Sequence, residues 1–420
     1  MLPKQPKGLL SLSIAAALSL SGFAVSTTTA QADAFTDALT GGKVKMDVRL
    51  RYEDVEDDSA AKDADLLTVR TRLGYQTGSI SGFDAYVEME NITAIGDDND
   101  ANTGGAGWGN GNSTYSVIAD PEGTELNRYW LGYNGLADTV VRVGRQRIKL
   151  DNDRFIGNVG WRQNEQTYDS FTLTNKSLQD TTFFYAYLTE VNNIFGSNDD
   201  MESHLVNVSY SGLGVGKLTA YGYFLDYDKE STKEVTHSQR TLGLRFKGAT
   251  DLGGGTKLLY TAEYAQQDDY KDGSNNIDYD YGLLKLGVKI AGFTIMAGYE
   301  QLEGDDNLTG YTAAFQTPLA TLHGQNGWAD MFLATPAGGL EDRSIAVSTK
   351  VAGIKLKAVY HDYEAESGSV DYGDEWNFVA VKKFGKNYTV LAKYAAFDAD
   401  NDWTGKDDKD KLWLQAGFKF

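Results

Sequence analysis

After residue 42, apolar and polar residues alternate along nearly the whole chain. In 43–55 one parity carries Val44, Met46, Val48 and Leu50, and the other Lys45, Asp47, Arg49 and Arg51. In 409–420 the same split sets Leu412, Leu414, Ala416, Phe418 and Phe420 against Lys411, Trp413, Gln415, Gly417 and Lys419. Period two with unlike faces is the signature of a strand. Carried through the chain, it predicts eighteen strands: 43–55, 65–77, 81–95, 125–134, 138–149, 165–176, 180–192, 201–211, 216–228, 237–248, 256–268, 279–291, 293–303, 342–352, 354–365, 372–384, 386–398 and 409–420.

Connections between these strands alternate long and short from the first onward. The short ones include "TGSI", "NGLAD", "AGF" and "GK"; the long ones are rich in Asp, Asn and Gly, the largest being 96–124 and 304–341. An even strand number with short turns on one rim and long loops on the other predicts an all-β fold, a transmembrane antiparallel β-barrel with periplasmic turns and extracellular loops. A solenoid or sandwich would have to bury the second face dry, and that face carries Arg49, Arg51, Arg70, Arg72, Arg245, Lys247, Lys285, Lys289, Lys355 and Lys357. A water-filled lumen accommodates them, and about 18 strands are wide enough to hold one.

Composition sharpens the reading. Lys4 and Lys7, an apolar run over 8–25 and Ala30-Gln31-Ala32 before Asp33 predict a secretory signal peptide over 1–32, leaving 33–420 as the barrel. The chain is bound for the outer membrane of a Gram-negative bacterium, with lipid and lipopolysaccharide around it. Tyr (25) and Gly (46) are abundant and Pro (5) is scarce, which suits long sheet pairing. The absence of cysteine excludes disulfides and thiolate metal sites, and a net charge of −20 disfavours nucleic acid. No cofactor or metal spacing is present: His204, His237, His323 and His361 are scattered, and "GDDNDANTGG" reads as a solvated acidic loop.

Charge placement carries the functional reading. Acids crowd the long loops, whereas the inward parity is basic, with candidate pore-lining residues Arg49, Arg51, Arg70, Arg72, Arg128, Arg142, Arg145, Arg147, Arg154, Arg162, Lys355 and Lys357. Such a lumen concentrates anions and offers forked donors to carboxylates. Inward Arg and Glu that merely pair across strands would instead stiffen the wall. In "VVRVGRQRIKLDNDRFIGNVGWRQNEQTYD" the parity is ambiguous, because Arg145 shares a face with Val141 and Val143; a bulge near Gly144 or exit from the lipid band would reconcile it.

This stretch resembles the alginate-export family of outer-membrane porins, as do "AFTDALTGGKVKMDVRLRYEDVE" and "YTAAFQTPLATLHGQNGWADMFLATPAGGLED". The resemblance implies an eighteen-stranded monomeric barrel whose electropositive pore passes an acidic polysaccharide, with Arg49, Arg51, Arg145, Arg147, Arg154 and Arg162 lining it. Separately, an aromatic Phe420 closing the last strand resembles the C-terminal signal by which the insertion machinery recognises bacterial outer-membrane barrels. The alginate exporter's long plugging periplasmic loop is here the tight turn at Gly385-Lys386, which keeps other small anionic solutes as candidates. Two readings from other classes stand beside it. One is a gated or structural barrel sheathing a partner. The other is an outer-membrane hydrolase, for which Ser203-His204 and His237-Ser238 are the available pairs; adjacent strand residues point to opposite faces, so neither forms a dyad as it stands.

Overall fold

The computed structural model describes residues 29–96, 100–229, 231 and 233–420. The signal-peptide expectation lies outside them over 1–28, and the first element is helix α1, Thr29–Thr40. The strands are β1 (Lys43–Asp57), β2 (Ala64–Gln76), β3 (Phe83–Ala94), β4 (Gly123–Leu136), β5 (Thr139–Gln146), β6 (Thr167–Asn175), β7 (Thr181–Asn192), β8 (Asn198–Tyr210) and β9 (Gly216–Leu225). A one-turn helix α2 (Glu234–His237) follows, then β10 (Gln239–Gly253), β11 (Thr256–Asp269), β12 (Asp278–Ile290), β13 (Phe293–Leu302), β14 (Leu340–Val351), β15 (Ile354–Glu364), β16 (Asp371–Phe384), β17 (Tyr388–Ala399) and β18 (Lys409–Lys419). Each strand pairs antiparallel with its sequence neighbours and β18 pairs back onto β1, so the eighteen-stranded sheet closes and leaves no edge.

Short turns set the register at one rim. Ala291-Gly292 and Ala352-Gly353 both have positive φ at each residue (49° and 83°, 49° and 81°), the conformation whose twist matches a two-residue hairpin. The last residue is tied into the closing seam, since Phe420 and Met46 exchange backbone hydrogen bonds of 3.0 and 3.1 Å. Outward Leu73, Leu242, Leu286, Phe378 and Leu414 are exposed, while inward Arg51, Arg70, Tyr281 and Trp413 are buried. This inversion of the soluble pattern marks a lipid face outside and a filled lumen inside. Aromatic rings gather where the lipid face ends: Phe83 on Tyr133 and Tyr388 on Phe418 at the turn rim, Tyr360 on Trp376 toward the other.

Two loops fill the lumen. β5 and β6 have only 8 and 9 residues against 15 in β1 and β10, because the chain leaves the wall at Gln146, runs inward over 147–166 and rejoins it at Thr167. Residues 303–339 do the same between β13 and β14. Their apolar side chains, Phe155, Ile156, Phe315, Leu319, Trp328 and Phe332, pack with inward wall residues such as Tyr281, Tyr363 and Trp413 into the main buried cluster. The loops also join each other. Ile156 and Leu319 form a parallel bridge, and Thr321 donates its backbone N–H to Asp153 O at 2.9 Å.

Candidate functional site

The arginines of β1 and β2 hold the first inserted loop by its backbone. Arg49 donates to the carbonyls of Gly160 (3.1 Å), Trp161 (2.8 Å) and Arg162 (3.0 Å); Arg51 also reaches Trp161 O (2.6 Å), and Arg70 and Arg72 reach Gln163 O (3.4 and 3.3 Å). Four consecutive carbonyls thus find cationic donors in place of water, as buried backbone demands. The remaining guanidinium groups meet acids. Arg70 pairs with Asp47 (2.8 Å), Arg72 with Glu90 and with Glu165 (3.3 Å), and Arg154 with Glu300 (3.1 Å). Arg128 bonds Glu88 at 2.7 Å, and Arg147 closes onto Glu165. A register shift between Glu88 and Met89 opposite β4 brings Asn127 inward beside Arg128, where its amide donates to Glu88 (2.9 Å) and Glu165 (2.8 Å). Burial alone would raise the carboxyl of Glu165, but Arg72 and Arg147 override it and hold the group well below the usual carboxylate range.

Asp330 locks the second loop. It accepts from Arg162 (3.0 Å), Lys411 (2.8 Å) and His323 Nδ1 (2.6 Å), while Arg162 also binds Glu53 at 3.0 Å. Burial lowers His323 to about 3, outweighing Asp330, so the imidazole is neutral: Nδ1–H donates to Asp330 and Nε2 accepts from Lys393 at 2.5 Å. Asp330 itself stays well below its usual range, since His323, Lys411 and Arg162 outweigh its burial. Around this knot Trp161 stacks on His323 at 4.6 Å, and the Lys393 ammonium lies over Trp161 (4.1 Å) and Trp328 (3.8 Å).

One expected pore residue is corrected. β5 keeps its alternation past Gly144, with no register shift there despite a φ of +121°, so Arg145 shares the outer face with exposed Val143. There it binds Asp169 (2.7 Å) and Glu190 (2.9 Å), and it does not line the lumen. Arg147 escapes that parity because the strand ends at Gln146. Arg142, Lys355 and Lys357 point inward and are exposed, Arg142 lying over the Trp130 ring at 4.5 Å.

The lysines near the turn rim form a second basic group. Lys217 faces Lys247, Lys257 faces Lys289, and Lys350 faces Lys355 directly across neighbouring strands, all on the inward parity. Lys217 reaches Asp151 at 3.3 Å. Among the described residues no carboxylate lies within ion-pair distance of Lys247, Lys257, Lys285, Lys289, Lys355 or Lys357, and like charges placed opposite each other cost free energy. Sequence reading saw several of these as inward but not as a group; the Lys350–Lys355 pair could have been found by folding the strands about Ala352-Gly353. The hydrolase pairs come apart: Ser203 is bonded to the Asp226 backbone N–H on the inner face, and His204 to Tyr185 on the outer.

No curated protein matches the sequence. Solved structures share the fold at low identity. Acinetobacter baumannii OccAB2 has TM-score 0.72 and 17% identity over 91% of this chain and 99% of its own. Pseudomonas aeruginosa OpdK with vanillate gives 0.69 and 12% over the same shares, and Pseudomonas aeruginosa OccK2 (OpdF) 0.70 and 13% over 91% and 98%. The family model for alginate export matches residues 42–300, more than half of the sequence. With its closed antiparallel sheet and lipid-facing exterior, the chain belongs to the alginate export family of outer-membrane porins.

Proposed function

We propose that the barrel passes anionic solutes by passive diffusion, acting as a monomer, with the lysine wall as its selectivity element and the two inserted loops setting the aperture. The observation that carries this reading is the set of facing lysine pairs, in which Lys247, Lys257, Lys289 and Lys355 have no carboxylate within ion-pair distance among the described residues. Repulsion of this kind is tolerated where a mobile anion relieves it, and a low-dielectric wall focuses the field onto the aqueous path. The loops are bonded to β1, β2, β10, β11, β16, β17 and β18, which favours small organic anions over a polysaccharide thread. Vanillate, found with OpdK, has the size and charge class in question.

Planar-bilayer reversal potentials under a salt gradient test the proposal. The wild-type channel should be anion-selective, and replacing Lys247, Lys257 and Lys289 by Gln should lower the anion-to-cation permeability ratio by about tenfold. A ratio unchanged by those substitutions refutes the lysine wall. N-terminal sequencing of the exported protein tests the signal reading, with Asp33 expected first. Replacing Phe420 by a polar residue tests its recognition by the insertion machinery, with slower membrane assembly expected.

A further inference from the structure

Helix α1 has a sorted surface. Ala34, Phe35, Ala38 and Leu39 fall on one side of a 3.6-residue helix, and Asp33, Thr36, Asp37 and Thr40 on the other. The protein covers only part of the apolar side: Ala38 is buried against the β2–β3 turn, where Gly78 N–H donates to Ala38 O at 2.8 Å, while Phe35 and Leu39 are 57% and 45% exposed. The helix is fixed at its C-terminal end by Tyr75, whose hydroxyl donates to Leu39 O. Tyr75 belongs to the lipid-facing parity of β2, with exposed Leu73 two residues along. The end of α1 is therefore tethered from the lipid side of the wall at the turn rim, beside the outward aromatic residues Phe83 and Tyr133 of β3 and β4.

We propose that α1 lies in the interface of the periplasmic leaflet, with Phe35 and Leu39 inserted among acyl chains as a continuation of the aromatic girdle and with Asp33 and Asp37 in the headgroup water. Continuity with the lipid face selects this occupant. The hydroxyl that binds the helix comes from a lipid-facing tyrosine, and a short helix with an apolar side of Ala34, Phe35, Ala38 and Leu39 opposite a polar one has the sorted surface of an interfacial segment. The helix would thereby cover the β2–β3 turn and tie the start of the first strand to the membrane surface.

The chain contains no cysteine, so single Cys residues can be labelled without background. In proteoliposomes, a bimane probe on Phe35→Cys or Leu39→Cys should be quenched at least twofold more by lipids with a shallow acyl nitroxide than the same probe on Asp37→Cys. Iodide in the aqueous phase should give the reverse order. Equal iodide quenching at all three positions would overturn the proposal by placing the helix in the periplasm. Protection of Phe35→Cys and Leu39→Cys from both quenchers would also overturn it, because the helix would then cap the pore mouth or pack on another protein. Conductance measured on the same labelled proteins confirms that each variant is folded.

Discussion

The lumen wall is basic on two sides, but the two sides keep different chemical company. On β1 and β2 the arginines are buried or half-buried and committed to loop carbonyls or acids. On β9 to β12 and on β14 and β15 they are lysines near the turn rim, several exposed and facing one another. The planar, forked guanidinium suits the first task, because it satisfies several oxygens at fixed geometry and tolerates desolvation. The ammonium suits the second, being a strongly hydrated point charge that an ion can pass. Net positive charge in a lumen is thus a poor guide to function until the partners are counted.

Substitutions can break this contrast in order of expected effect. The largest should come from Glu165→Ala, which takes from Arg147 its carboxylate partner and leaves Arg72 with Glu90 alone in a buried site; losses of this kind cost about 3–5 kcal/mol. The first inserted loop should become protease-sensitive while the barrel persists, and single-channel conductance should rise. Next, Lys247→Glu with Lys289→Glu should move the reversal potential to the cation side, a change in permeability ratio of about tenfold or more. Charge-reversing the arginine side at Arg49 should instead disturb the aperture, seen as noisy current with less change in selectivity.

Acid should loosen the second loop by a smaller amount. His323 is held neutral with its value lowered from 6.5 to about 3, so its contribution is fully present above about pH 6.5 and is lost as pH falls toward 3. Asp330, also lowered, loses its contribution in the same direction below its ordinary range. Fluorescence of Trp161, which stacks on His323, should therefore change on acidification, and His323→Gln should flatten that change. The smallest effect is expected for Arg145→Ala, which removes an ion pair on the outer face and should leave the reversal potential where it was.

The fold was legible because period two and the alternation of loop lengths are local properties. Eighteen strands, the lipid-facing set and the turn at Ala352-Gly353 all follow from them. The site was less legible because its chemistry is set by pairings across the sheet and by loops that fold inward. Asp330 sits in a segment with no period, and Glu165, expected to open a strand over 165–176, lies in the inserted loop just before β6 begins at Thr167. Asn127 reaches the lumen through a register shift that sequence does not announce. Arg145 failed for a related reason, since a cluster of arginines drew more weight than the parity of the strand carrying it.

The bridge between Ile156 and Leu319 joins residues far apart in the chain, one following β5 and the other preceding β14. Long-range contacts form late, because the entropy of closing the intervening segment is spent before they are made. The hairpins of the wall close much shorter segments and should pair first, whereas the Ile156–Leu319 bridge and the still longer β1–β18 seam should form last. Assembly should therefore pass through a stage in which most of the wall is paired but the interior is not yet occluded. A newly inserted molecule would be a wider hole than a mature one, and the speed at which the two loops find each other would set how long the outer membrane leaks around each addition.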